Sequence, residues 1–166
     1  GFGYNIYEKE GIKIGVINLQ GRVFMKPIDC PFRIGDIIVE ELGRETKNII
    51  IDFHAEATAE KQALGYYFTG RVTAVIGTHT HVPTADERIL EGGTAYITDV
   101  GMVGGYDSII GNRIEDALAK IILQKPTHLN VGERDLRIFG VVFEFDTETG
   151  KALSIKRLGT GSTLDI

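Results

Sequence analysis

The chain has 166 residues, 43% of them apolar and 25% charged, which suits one folded domain with a core of its own. No apolar run reaches the roughly 20 residues a helix needs to cross a bilayer. A net charge of −5 argues against broad electrostatic binding to nucleic acid or a membrane surface, although a metal ion can reverse the sign inside a pocket.

In chain order, Ile12, Ile14 and Val16 alternate with Lys13 and Gly15, which predicts a half-buried strand. Ile34, Ile37, Ile38 and Leu42 fall at helical spacing, and the helix is expected to end near Gly43. Ile49-Ile50-Ile51 is a continuous β-branched run that suits a strand covered on both faces. Ala63, Leu64, Tyr67 and Phe68 predict a second helix closed by Gly70, and Val72 to Ile76 a further buried strand. Ala95 to Thr98 reads as a short strand. Asn112 and Glu115 have the spacing of a capping box, opening a third helix that buries Ile114, Ala117, Leu118, Ile121 and Ile122 and stops at Pro126. Leu136 to Phe145 and Lys151 to Leu158 flank Thr147-Glu148-Thr149-Gly150, a hairpin signal. The sum is a mixed α/β chain, with parallel strands early and antiparallel strands late.

Three of the four histidines directly follow buried strands: His54 after Ile49 to Phe53, and His79 and His81 after Val72 to Gly77. Strands joined by a crossover helix run parallel, and ligands of open α/β sheets bind at the carboxyl ends of such strands. The three imidazoles are therefore expected at one edge, where His-x-His and a third ring suit a divalent transition metal. Asp52, Glu56, Asp86 and Asp99 are the nearest carboxylates. Each is suited to ligate or to orient an imidazole, and none is assigned as a ligand; Glu56 also fits a helix N-terminus. His128 has no polar company and reads as a solvated loop residue. Cys30, the only cysteine, lacks an activating base and reads as a small packing residue. Gly101, Gly104 and Gly105 read as an ordinary loop. A single cysteine excludes an internal disulfide framework, and the expected location is cytoplasmic. The opening Gly1-Phe2-Gly3-Tyr4 has no Met, as expected of a piece of a longer polypeptide.

Asp52-Phe53-His54-Ala55-Glu56-Ala57-Thr58 and Gly77-Thr78-His79-Thr80-His81-Val82-Pro83-Thr84-Ala85-Asp86 closely resemble the bacterial cyclic-nucleotide phosphodiesterase family of calcineurin-like metallophosphoesterases. So do Asn18-Leu19-Gln20-Gly21-Arg22, Pro27-Ile28-Asp29-Cys30-Pro31-Phe32, Thr98-Asp99-Val100-Gly101-Met102 and Tyr106-Asp107-Ser108, so that the resemblance runs over nearly the whole chain. It implies an α/β sandwich of two packed mixed sheets flanked by helices, with two metals at one edge. By the same resemblance His54 and His79 would hold one ion and His81 the other. The family's first metal-binding Asp, its bridging Glu, two Asn ligands and its general-acid His lie upstream of the region seen here, and their motifs do not occur in this chain. Residues 1–166 are thus expected to be a single domain, the C-terminal portion of a metallophosphoesterase domain, and inactive alone.

The implied chemistry is metal-assisted hydrolysis with two divalent transition ions, iron or manganese, polarising the phosphoryl oxygens for attack by water in line. An upstream His would protonate the leaving alkoxide. The implied partners are a small phosphodiester or cyclic nucleotide, with 2′,3′-cyclic nucleotides first and 3′,5′-cyclic second, together with the missing N-terminal segment and a second copy in a homo-oligomer. Two other readings stay open: a relative of the polyglutamate capsule-synthesis proteins on the same scaffold, and a regulatory module that keeps metal without turnover. A metalloamidohydrolase barrel also uses His-x-His but needs about 250 residues and eight strand–helix units, which this pattern does not supply.

Overall fold

A computed structural model describes residues 2–160. Its elements in order are β1 (Tyr4–Lys9), β2 (Ile12–Gln20), α1 (Pro31–Leu42), β3 (Ile49–His54), α2 (Thr58–Tyr67), β4 (Ala74–Thr78), β5 (Arg88–Leu90), β6 (Thr94–Ile97), β7 (Val103–Gly105), α3 (Ile114–Leu123), β8 (Leu136–Phe145) and β9 (Ala152–Thr160). The first sheet has the order β1-β2-β3-β4-β6-β5. Its centre, β2-β3-β4-β6, is parallel: α1 and α2 carry the chain back before β3 and β4, antiparallel β5 carries it back before β6, and β1 and β5 close the two edges. The second sheet, β7-β8-β9, is antiparallel, and the β8–β9 hairpin turns where the Thr147–Gly150 signal places it.

Helices cover one face of the first sheet. Ile38, Val39 and Leu42 of α1, with Leu64 of α2 and Phe68 just after it, pack on Ile17, Leu19, Ile49, Ile51 and Phe53. Gly35 lets the helix layer close, since a Cβ there would stand 2.6 Å from the Phe68 ring. On the opposite face Ala74 and Ala95 meet Ala152, with Ile50, Ile76, Phe143 and Ile155 around them. The small residues let the second sheet approach the first. No helix among the described residues is long and apolar enough to cross a membrane.

Several expectations change at the level of faces. On β2 the buried residues are Gly15, Ile17 and Leu19, whereas Ile12 is exposed and Ile14 and Val16 half-buried. Both phases of this strand are apolar, so alternation cannot choose between them; the helix layer does. Ile50 is likewise half-buried, because the second sheet covers that face less fully than the helices cover the other. Ile37, Ala63 and Tyr67 face outward, and Gly35, Val39 and Lys61 take core positions instead. The edge strands β1, β5 and β7 escape the pattern; β7 includes Gly104 and Gly105, which pair with β8.

The third helix departs furthest. Its N-cap is Arg113, with no side-chain cap, and Asn112 bonds to the Ile109 carbonyl instead of forming a capping box. Only Ala117 is buried in it, and Leu118, Ile121 and Ile122 are exposed. The helix ends at Gln124 in the left-handed conformation, two residues before Pro126. Its apolar stripe is real, but nothing among the described residues covers it.

Gly77, two residues before His79, marks the tightest point of the first sheet. A methyl group there would overlap the Thr98 carbonyl, and the Val100 N–H already bonds to the Gly77 carbonyl at 3.0 Å. Neither backbone can yield without breaking the β4–β6 junction. Gly77→Ala is expected to destabilise the fold by about 3 kcal/mol or more, read as a lower urea midpoint. Gly140→Ala, whose Cβ would meet open space, should move the midpoint far less.

Candidate metal centre

The three central strands end side by side, with Gln20 of β2 in register with His54 of β3 and His54 in register with Thr78 of β4. Beyond Thr78 the chain turns sharply: His79 and His81 have φ of 114° and 65°, values that side-chain-bearing residues rarely adopt. The turn brings the His79 ring against His54 in an edge-to-face contact, with centroids 4.7 Å apart.

Hydrogen bonds fix the orientation of each ring: one nitrogen of each meets a partner outside the trio, the second nitrogens of His54 and His79 meet each other, and His81 keeps one nitrogen without a partner among the described residues. The Asp52 carboxylate accepts from Asn18 Nδ2 at 2.9 Å and from Thr78 Oγ1 at 3.0 Å. Having given its only proton to Asp52, the Thr78 hydroxyl accepts from His54 Nδ1 at 3.1 Å, which leaves the unshared pair on His54 Nε2. His79 Nε2 donates to Glu56 Oε2 at 2.9 Å, while its Nδ1 faces His54 Nε2 at 2.9 Å. His81 Nδ1 donates to the Ile110 carbonyl at 2.9 Å, which frees its Nε2. Burial, with the His79 ring second, holds His54 below the ordinary imidazole range and favours its neutral form.

The turn is held from beneath by a buried ion pair. Asp99 and Lys61 are almost wholly buried, with Lys61 Nζ 2.7 Å from Asp99 Oδ2. The same oxygen accepts from the Thr80 N–H at 2.9 Å, between the two histidines, and Oδ1 accepts from the Gly101 N–H at 2.9 Å. The neighbouring helical residue, Glu60, is also buried and accepts from the N–H groups of Arg22 and Val23. The first turn of α2 therefore anchors the loops on both sides of His54.

The histidines thus reach one sheet edge, with His54 and His79 in contact and His81 turned to Ile110. Among the described residues no group of three or more His, Cys, Asp or Glu side chains is gathered as an ion site. Asp52 and Asp99 are committed to the bonds above, and Asp86 to Thr84, Thr98 and Arg88. Glu56, read from the sequence mainly as a helix-terminus charge, also partners His79. His128 is exposed on the loop after α3. Cys30 is the N-cap of α1 and not a core residue; the Arg33 N–H holds its thiol below the usual range. Sequence reasoning missed Lys61 and Thr78. The signal for Lys61 was available, since it lies three residues before Leu64 on the buried stripe.

Lys61→Met should leave the Asp99 carboxylate buried without its counter-ion. A loss of about 3–5 kcal/mol in unfolding free energy is expected. Asp99→Asn with Lys61→Met, which removes both charges, should cost less than Lys61→Met alone. Chemical denaturation of the three variants checks this.

Comparison with known proteins places these features in a family. Residues 1–158 match the model of the YmdB-like protein family. The 2′,3′-cyclic-nucleotide 2′-phosphodiesterase of Bacillus subtilis (strain 168) is 49% identical over 158 residues, covering 95% of this chain and 60% of the relative. A crystal structure of a hypothetical protein from Thermus thermophilus superposes with a TM-score of 0.91 at 39% identity, over 97% of this chain and 62% of that one. The crystal structure of a novel phosphatase from Mycoplasma pneumoniae gives 0.87 at 38% identity, over 97% of this chain and 58% of that one. The chain therefore spans about 60% of the length of the Bacillus relative. With its fold and nearly all its length matched, the chain belongs to the YmdB-like protein family.

Proposed function

We propose that this chain supplies part of the active site of a metal-dependent phosphodiesterase on a calcineurin-like scaffold. The substrates are cyclic nucleotides, 2′,3′-cyclic first and 3′,5′-cyclic second. The name of the Bacillus relative supports the substrate class, and the Mycoplasma structure supports phosphoester hydrolysis.

The observation that carries the reading is the division of labour within each imidazole. His54 is oriented through Thr78 by Asp52, His79 by Glu56 and His81 by the Ile110 carbonyl; the second nitrogens of His54 and His79 meet only each other, and that of His81 has no partner among the described residues. Ligating histidines characteristically donate their second N–H to a carboxylate or carbonyl in this way. The 2.9 Å between His54 Nε2 and His79 Nδ1 is close to the separation of neighbouring ligands whose bonds to an ion are about 2.1 Å long. His54 and His79 are proposed to hold one ion and His81 a second, with iron or manganese fitting a mixed N and O set. Bound ions would supply Lewis-acid polarisation of the phosphoryl group and a more acidic water.

This chain's own part is to present imidazoles in fixed orientation. The donors it lacks, above all a free carboxylate to bridge two ions, are proposed to come from the rest of the longer protein, together with the general acid. In that full-length protein His54→Ala and His81→Ala should each lower bound metal and cyclic-diester turnover together. The expected fall exceeds about tenfold, since even removing a ligand's orienting partner costs that much. His128→Ala should change neither. Metal analysis and an assay on 2′,3′-cyclic AMP read the outcome, and a His128 variant that loses activity while the His81 variant keeps it would reverse the assignment.

Residues 1–166 by themselves should retain fewer than two ions per chain and show no turnover. Two facing imidazoles with one more nearby cannot complete two coordination shells, and Asp52, Asp86 and Asp99 are already engaged. Robust hydrolysis by this stretch alone would mean that one of those carboxylates leaves its present partners to bridge metals.

A further inference from the structure

The loop between β2 and α1 presents an aromatic side chain that neither the core nor the proposed chemistry uses. Phe24 is 88% exposed and has φ of 62°. A left-handed backbone costs a residue with a Cβ on the order of 1 kcal/mol or more, and a solvated phenyl ring gains nothing from the fold. Such a conformation persists only where its surroundings impose it. Here they do: Glu60 grips the Arg22 and Val23 N–H groups, and the Gly21 N–H bonds to the His54 carbonyl at 2.9 Å. The residues just before Phe24 are thus tied to the same helix turn and strand end that position the histidines.

Phe24 borders an open cavity of about 600 Å³ together with Gln20, Met25, Lys26 and His79. The cavity holds one imidazole of the candidate metal centre, a flat apolar ring, a polarisable thioether, an ammonium and an amide. Resting on the phosphodiesterase reading, we infer that Phe24 and Lys26 form a subsite for a nucleotide, Phe24 stacking on its base and Lys26 meeting its phosphate charge. A phenyl face accepts any base, because each has a π-face, so the subsite selects for an aromatic base without reading which one. Lys26 supplies a mobile point charge with no fixed fork, which suits a phosphate at a cavity mouth. A simple dialkyl phosphate would meet the cation and miss the ring.

The test compares two probes on the full-length, metal-loaded protein by calorimetry: adenosine 3′-monophosphate and inorganic phosphate. Phe24→Ala should weaken the nucleotide about tenfold and leave phosphate within about twofold, as expected for loss of one stacked base. Phe24→Trp should restore nucleotide affinity, and Lys26→Ala should weaken both probes. An unchanged melting temperature in Phe24→Ala, expected of so exposed a residue, separates binding from folding. Should wild type bind both probes while Phe24→Ala leaves the nucleotide unaffected, or weakens both equally, the subsite is wrong and the phosphodiesterase reading stands. A wild-type protein that binds neither probe and hydrolyses no cyclic diester would overturn both.

Discussion

The geometry of this chain turns on a lysine and an aspartate that have left water together. Ion pairs this deeply buried do little for net stability, because each charge gives up its hydration to form them. What the Lys61–Asp99 pair contributes is position. Asp99 has its oxygens filled by Lys61, the Thr80 N–H and the Gly101 N–H, so the carboxylate is a fixed node joining α2, the histidine turn and the segment after β6. Removing the ammonium would do more than loosen a helix. It would leave an anion seeking a counter-charge directly beneath the only residue between His79 and His81.

That placement explains how two residues of one turn tolerate unusual backbone. The left-handed φ values at His79 and His81 cost energy that regular β4 geometry would not, yet a regular strand would send both side chains, two residues apart, to the same face. The bend turns one ring to His54 and the other to Ile110, and Thr80 is tied down between them. Gly77 and Thr98 complete the device from the other side, their backbones too close to admit even a methyl group. Glu60 repeats the logic for the neighbouring loop with a buried carboxylate and two backbone donors. Glu60 and Lys61, consecutive in α2 and opposite in charge, secure the two loops that flank His54.

Much of this arrangement was legible before the structure and some was not, for physical reasons that differ by residue. The paired strands β3 and β4 and the β8–β9 hairpin declare themselves through short apolar runs and turn chemistry, and these put His54, His79 and His81 at one edge. Periodicity fails on β2 because Ile14 and Val16 on one face match Ile17 and Leu19 on the other, so only the helix layer decides. It fails on α3 because an apolar stripe states a tendency to be covered without supplying the cover. Lys61 is hidden for a different reason: a charged residue on a buried stripe looks like a break in the pattern until its partner, 38 positions away, is known. Thr78 is hidden because its role is to relay. It carries the Asp52 charge to His54, which no local spacing reveals.

The relay bears on what the edge can do without further help. An imidazole is a good ligand when neutral, when its tautomer is already chosen and when its plane is fixed. His54 meets all three conditions from within the chain, through burial, Thr78 and Asp52. His79 and His81 have their orienting partners as well. The carboxylates, in contrast, are spent on holding these rings and their loop, and a group that holds the frame cannot also bridge ions without releasing it. On the reading proposed above, a framework whose carboxylates are already spent on its loops and rings would take its oxygen donors from elsewhere in the protein, which the histidine motif alone does not reveal.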